Sequence, residues 1–180
     1  MLPTQTDLAD AITTATRAAV TELFRAYPEH HFYWIALITT GEAHPPALCA
    51  WSRELLSAEA NKDPDPVEAA YLLKWSYAES PLYCFGEQHF ARVNELFAAR
   101  RPVYVDDREA RMREYDVRLG AMEEAMSRLD RDGLFGSGRK REAIVINVSV
   151  VPPDASNRER ALRLNPPAAL REWLDDRAEM

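Results

Sequence analysis

The amino-acid sequence predicts an α+β fold, in which a single domain has a small, mainly antiparallel sheet of about three to four strands covered by several helices. Three observations support this prediction. A helix with one apolar stripe is predicted over residues 106–132, and a mostly β-branched run follows at 143–151. An earlier run, 31–39, is apolar on both alternating faces, which is typical of a strand covered on both sides. The helical stripe needs a surface to cover, and such a sheet provides one.

The first elements are a helix and two strands. Thr4 with Asp7 forms a capping pattern, and helical apolar spacing continues until Pro28 ends the run. The strand at 31–39 comes next, and residues 47–51 return as its partner. The sequence therefore predicts a helix followed by a β-hairpin.

Short helices are predicted in the middle of the chain. Ser52 caps one that ends near Asn61, and Asp65 caps a second that has proline at its first position. A third is predicted at residues 87–100, and a very short strand is predicted at residues 103–105.

The long helix has clear start and stop signals. Asp106 and Glu109 form a capping box, while Gly133 and Leu134 match a Schellman-type stop. Its stripe consists of Met112, Tyr115, Leu119, Met122, Met126 and Leu129. We expect this stripe to face the chain's own core, and the alternative is a homodimer built on it, so monomer and homodimer both remain open.

The last third of the chain alternates loop, strand and helix. A polar loop at 136–141 leads into the strand at 143–151, and Ser156 then caps a short helix. Asn165 starts the final helix. We expect frayed termini at about residues 1–4 and 176–180.

Composition limits the classes of function. The formal net charge of −7 argues against a general binder of nucleic acid or anionic membranes. The amino terminus does not resemble a signal peptide, and no apolar run approaches the roughly 20 residues of a membrane-spanning helix. Cys49 and Cys84 have apolar neighbours and are expected to be reduced thiols. These features predict a soluble, cytoplasmic protein.

The glycine cluster at 133–140 has the glycine spacing of a phosphate-binding loop. Arg139 stands where such a loop needs lysine, and Lys140 where it needs serine or threonine. The segment also follows a helix and precedes a strand, which is the reverse of a phosphate loop. We interpret it as a helix stop and a connecting loop.

Other chemical motifs are equally incomplete. His30 and His31 are adjacent and point to opposite sides of an extended chain, so they cannot share one metal ion. Ser137 lacks the glycine two positions earlier that a nucleophile elbow needs. The sequence therefore predicts no catalytic residue, no cofactor and no metal.

The tryptophans suggest either a core or a binding surface. Trp34 and Trp51 lie in predicted strands and are expected in the core. Trp75 and Tyr77 lie in an irregular, proline-terminated segment beside charged residues, where both a core position and a partner-binding patch remain open.

Four blocks resemble a bacterial family known as domain of unknown function 4303. They are Glu-Leu-Phe at 22–24 with Pro-Glu-His-His-Phe-Tyr-Trp-Ile-Ala-Leu at 28–37; Lys-Trp-Ser-Tyr-Ala-Glu at 74–79; Gly-Leu-Phe-Gly at 133–136 with Arg-Glu at 141–142; and Ala-Leu-Arg-Leu-Asn-Pro at 161–166. Lys74 and Ser80 stand where the family tends to have arginine and tryptophan. The resemblance implies a small, single-domain cytosolic bacterial protein without an assigned activity, and it allows a role as a toxin-immunity protein.

These observations favour a non-enzymatic module with a protein partner, in a toxin-immunity or regulatory role, whose acidic charge suits a basic target. The alternative is an unrecognised enzyme or small-ligand-binding domain with a cleft near residues 75–79 and 136–141. The candidate binding residues are Trp75, Tyr77, Glu79, His89 and Arg139.

Overall fold

The computed structural model describes residues 2–100, 107–176 and 178. Over these residues the chain forms eight α-helices and three strands. In chain order they are α1 (Gln5–Ala26), β1 (Phe32–Thr40), β2 (Ala47–Ser52), α2 (Arg53–Ala60), α3 (Pro66–Leu73), a 3-10 turn (Glu87–Phe90), α4 (Ala91–Ala98), α5 (Arg108–Arg131), α6 (Arg139–Glu142), β3 (Val145–Val151), α7 (Ala155–Leu164) and α8 (Arg171–Asp175). The predicted α+β class is confirmed.

The sheet has the strand order β2-β1-β3. β1 pairs antiparallel with β2, as the predicted hairpin requires, and parallel with β3. The sheet is thus mixed, with one pairing of each kind, where we expected mainly antiparallel pairing. The reason is the long connection between β1 and β3, since a helix-containing crossover can bring a strand back in the same direction.

Helices cover both faces of the sheet, so β1 is apolar on both sides. On one face, Ile35 and Leu37 pack with buried residues of α1 and α5. On the other face, Trp34 and Trp51 pack with Trp173, which α8 supplies. All three tryptophans are almost completely buried, which confirms the predicted core positions of the first two.

The apolar stripe of α5 faces the core of its own chain. Leu119, Met122, Met126 and Leu129 are buried there, whereas Met112 is exposed near the start of the helix. This arrangement confirms the core interpretation for these four residues.

Both ends of α5 show how local sequence sets helix boundaries. The side chain of Asp107 caps the start, while Asp106 of the predicted capping box lies outside the described residues, as does the predicted strand at 103–105. At the other end Gly133 has a φ of 76°, and the amide of Leu134 donates to the carbonyl of Leu129 at 3.1 Å. The predicted Schellman stop is confirmed.

Two other predicted helix starts are wrong in detail. Asp154, not Ser156, caps α7, because its carboxylate accepts from the amide of Ser156 at 2.8 Å. The final helix begins at Arg171, after a turn, and not at Asn165. The caps Thr4, Ser52 and Asp65 are confirmed.

The outer edge of β3 is covered by side chains of α7 and its end. Asn165 accepts from the amide of Ile146 at 2.8 Å and donates to the carbonyl of the same residue at 2.6 Å. Asn157 forms the same pair of bonds with Val150, at 2.7 and 2.9 Å. These amides occupy the positions that a fourth strand would fill. In the described part of the chain, no helix has the length and apolar character needed to span a membrane.

Candidate functional site

The irregular segment at 74–80 is held on the sheet through its main chain. The indole of Trp51 donates to the carbonyl of Ser76 at 2.7 Å, and the thiol of Cys49 lies 3.8 Å from the carbonyl of Tyr77. The hydroxyl of Tyr33 donates to the carbonyl of Lys74. Strand side chains therefore satisfy backbone groups that have no helix or sheet partner of their own.

Burial affects two of the strand groups that hold this segment. Desolvation raises the pKa of the Cys49 thiol to about 12 and raises the pKa of Tyr33 strongly. Both groups are therefore neutral at physiological pH and act as hydrogen-bond donors. Neither is poised as a nucleophile.

An ionic cluster fixes the start of the segment to α8. Lys74 Nζ lies 2.6 Å from Glu172 and 2.5 Å from Asp176. The indole of Trp75 donates to Asp176 at 3.0 Å, and Arg53 forms a two-bond pair with Glu172. The indole hydrogen bond and an edge contact with Tyr33 at 5.1 Å between ring centroids fix the ring of Trp75.

Replacing Glu172 with glutamine should make the stability of the protein less dependent on pH in the acidic range. The hydrogen bonds and charge of Arg53, followed by those of Lys74, lower the pKa of Glu172 from 4.5 to about 2. A lowered carboxylate pKa adds stability above pH 4.5, and this stability is lost as the pH falls toward 2. Because the side chain of Glu172 is 45% exposed, we expect it to contribute only about 1 kcal/mol to the free energy of unfolding at neutral pH.

Urea unfolding of the wild type and of Glu172→Gln at neutral and acidic pH measures this difference, which should vanish near pH 2. Glu79→Gln, which removes an exposed carboxylate of the same region, should change stability by less than about 0.5 kcal/mol. A Glu172→Gln effect that persists unchanged at the acidic end would contradict the prediction.

Helix α3 presents an apolar surface to solvent. Val67, Tyr71 and Leu72 are 83, 63 and 66% exposed, and no residue of the helix is fully buried. Val67 and Tyr71 are four residues apart and so lie on one side of the helix, and Leu72 lies about 100° further round the helix from Tyr71. Ala70 and Leu73 pack against the core on the inner side. We call Val67, Tyr71 and Leu72 the α3 patch.

Acidic side chains flank the α3 patch. Asp63, Asp65 and Glu68 are all exposed, and Asp65 also caps the helix by accepting from the amide of Glu68 at 3.2 Å. Lys62 is paired with Glu59 on α2 at 2.5 Å. Residues 59–68 thus carry four carboxylates and one ammonium group, and we call this acidic segment beside the patch its acidic rim.

A cavity of about 270 Å³ lies behind the residues that follow α3. Its lining consists of Trp34, Ile38, Trp75, Ser76, Tyr77, Ser149, Val151, Pro153 and Asn157. We call it the tryptophan cavity. Trp75 and Tyr77 are half-buried and pack on the core, so their position is intermediate between the two that the sequence left open.

A second cavity, of about 510 Å³, is lined by Phe32 and neighbouring residues of the same segment together with Gly136 and Lys140. No residue lines both cavities. The two segments that the sequence placed in one cleft therefore belong to different sites. Arg139 is exposed on α6 and lines neither cavity.

The five predicted binding residues do not form one site. Trp75 and Tyr77 share the tryptophan cavity, and Glu79 is exposed beyond it. His89 lies against α1, with its Nε2 2.7 Å from the carboxylate of Glu22. Within the described residues, no group of three or more histidine, cysteine or acidic side chains is placed to hold a metal ion.

Sequence reasoning missed the α3 patch and the inner wall of the tryptophan cavity. The signal for the patch was the helix at 66–73, in which Glu68 is the only charged residue. Such a helix is usually buried, so its exposure is informative. No comparable sequence signal marked Ser149 and Asn157 as lining residues.

Comparisons with known proteins give a family and no function. No curated protein and no solved structure matches the chain. The family model described as a domain of unknown function (DUF4303) matches residues 12–166, which include the α3 patch and all residues that line the tryptophan cavity. Because this match covers most of the chain, the protein belongs to the DUF4303 family.

Proposed function

We propose that this protein is a non-enzymatic protein-binding module that docks a partner on the α3 patch. The observation that carries the proposal is the exposure of Val67, Tyr71 and Leu72 on a helix with an apolar inner side. Apolar clusters of this kind on a folded domain commonly mark interaction sites. Transferring one such side chain from water into an interface contributes about 1.5–3 kcal/mol.

The acidic rim indicates the chemistry of the partner. Asp63, Asp65 and Glu68 lie beside the patch on a chain whose net charge is −7. A partner with an apolar centre and a basic surround would match this surface, because complementary charge accelerates association and excludes acidic competitors. A toxin-immunity role against a basic toxin, or a regulatory role toward a basic protein, would use the same surface.

Replacing Tyr71 with aspartate should abolish capture of the partner. The substitution places a charge at the centre of the patch and leaves the core intact, since Tyr71 is 63% exposed. Truncating an aromatic hot-spot residue usually costs about 2 kcal/mol or more of binding free energy. We therefore expect at least about a 30-fold loss of affinity. An affinity pull-down from lysate of the native cell, read by quantitative mass spectrometry, identifies the partner, and calorimetry with the purified partner measures the loss.

Leu162→Asp is the matched control. Leu162 is also a large exposed apolar residue, at 46%, but it lies on α7. The control should capture the partner as well as the wild type does. The proposal would be contradicted if Tyr71→Asp captured the partner as well as the wild type does, or if no partner bound saturably. Reversal of Glu68 to lysine should slow association and reduce its dependence on salt.

A further inference from the structure

Trp34, which lines the tryptophan cavity, has a buried polar group without a partner among the described residues. Trp34 is 1% exposed, and among the described residues its indole Nε1 has no hydrogen-bond partner. Leaving such a donor unpaired costs about 1–3 kcal/mol, so an unpaired donor beside a cavity suggests a missing acceptor. Thr16, Asn147 and Trp173 also have unpaired buried groups among the described residues, but they line neither this cavity nor the one beside Gly136.

Two of the other three tryptophans find acceptors within the chain, whereas the indole of Trp173, like that of Trp34, has no partner among the described residues but does not line this cavity. Trp51 donates its indole N–H to the carbonyl of Ser76, and Trp75 donates to Asp176. Both acceptors come from the chain itself. Trp34 lies beside Trp51 on the same face of the sheet, yet the chain supplies no acceptor to it within the described residues.

The walls of the cavity limit what could supply that acceptor. Trp34, Trp75 and Tyr77 provide aromatic surfaces, and Ser149 and Asn157 provide polar groups without charge. None of the described lining residues is an aspartate, glutamate, lysine, arginine or histidine. A charged molecule would lose its hydration there without gaining a countercharge, whereas a flat, neutral molecule could stack against the rings.

Ordered water does not account for the size of the cavity. One water occupies about 30 Å³ in the liquid, so one molecule bound to the indole would leave most of the roughly 270 Å³ unfilled. Waters next to Ser149 and Asn157 would find polar partners, whereas waters against the aromatic rings, Ile38 and Val151 would not. Displacing such poorly ordered water by an apolar group with one acceptor favours binding.

We propose that the tryptophan cavity is a binding site for a small, uncharged, planar molecule whose hydrogen-bond acceptor receives the indole N–H of Trp34. The main-chain anchors at 74–80 keep Trp75 and Tyr77 in place as the outer wall. The proposal is independent of the α3 patch, because no residue belongs to both surfaces.

Three probes of similar size test each part of the proposal on the wild-type chain. Benzamide is neutral, planar and carries an acceptor; toluene lacks the acceptor; benzoate carries a charge. With ¹⁵N-labelled tryptophan, we expect benzamide to shift the Trp34 indole resonance saturably. Toluene and benzoate should each bind at least about tenfold more weakly, which corresponds to the loss of one good hydrogen bond or to the cost of burying a charge.

Variants assign the resonance and separate the cavity from the rest of the protein. Trp34→Phe should remove the preference for benzamide over toluene and leave toluene binding unchanged. Ile38→Phe, which fills the cavity from its wall, should abolish binding of all three probes. Leu162→Asp, on the surface of α7, should change nothing.

The proposal is overturned if benzamide leaves the Trp34 resonance unmoved at its solubility limit. Toluene or benzoate binding as tightly as benzamide would also overturn it. The three-probe comparison uses only the wild-type chain, so it tests the proposal even if Trp34→Phe does not fold. Loss of partner capture in Tyr71→Asp with benzamide binding retained would show that the two sites are separate.

Discussion

Replacing Asn157 or Asn165 with alanine should lower the free energy of unfolding by about 3 kcal/mol for each residue. Each side chain satisfies both the amide and the carbonyl of one residue on the outer edge of β3, at Val150 and Ile146 respectively. These groups are buried, so water cannot replace the lost bonds. Leaving two buried backbone groups unpaired is more costly than losing the same bonds at the surface.

Urea unfolding measures the change, and Asn94→Ala is the control. Asn94 is exposed on α4, and its loss should change stability by no more than about 0.5 kcal/mol. Both core variants should also expose an unpaired strand edge, which favours association through β-pairing. If Asn157→Ala destabilised the protein no more than Asn94→Ala does, the backbone groups of Val150 would have to find other hydrogen-bond partners.

Replacing Gly86 with alanine should destabilise the protein by about 3 kcal/mol or more. Gly86 has a φ of 69°, and a Cβ there would lie 2.7 Å from the Cβ of Ala19 and 3.2 Å from its Cα. Neither atom can move without shifting the backbone of α1. The close approach sets where the 3-10 turn at Glu87–Phe90 begins and brings Phe90 into the core.

Gly133→Ala separates the cost of a Cβ collision from the cost of placing alanine in a left-handed backbone conformation. Gly133 has a similar φ of 76°, but a Cβ there would meet no atom within 4 Å. We expect this change to cost only about 1 kcal/mol, the usual penalty for a left-handed alanine. Thermal or urea unfolding compares the two variants, and equal losses would contradict the collision with α1.

The candidate site was only partly predictable from sequence. The sequence predicts Trp75 and Tyr77 as binding residues because they are aromatic residues beside charged ones in an irregular segment, and both line a cavity. Arg139 and His89 were selected as residue types, and the structure places them elsewhere. The α3 patch was missed because an apolar helix is normally predicted to be buried. Only the positions of the neighbouring elements show that nothing in the described chain covers this side of α3.

Short-range patterns along the chain are enough to predict the α+β class and most of the boundaries of the helices and strands. The caps at Thr4, Ser52 and Asp65 and the stop at Gly133 follow from interactions between residues a few positions apart. The buried stripe of α5 follows from its 3.6-residue period, which local spacing also sets. Such features need no knowledge of the remaining chain.

The contacts between distant segments depend on the assembled fold. The parallel direction of β3 depends on the path of more than a hundred residues between it and β1. The roles of Asn157 and Asn165 as substitutes for a strand arise from where α7 crosses the edge of the sheet. The unpaired indole of Trp34 likewise depends on which acceptors the fold brings near it. Hydrogen bonding and burial across long separations are properties of the assembled fold, and no short pattern encodes them.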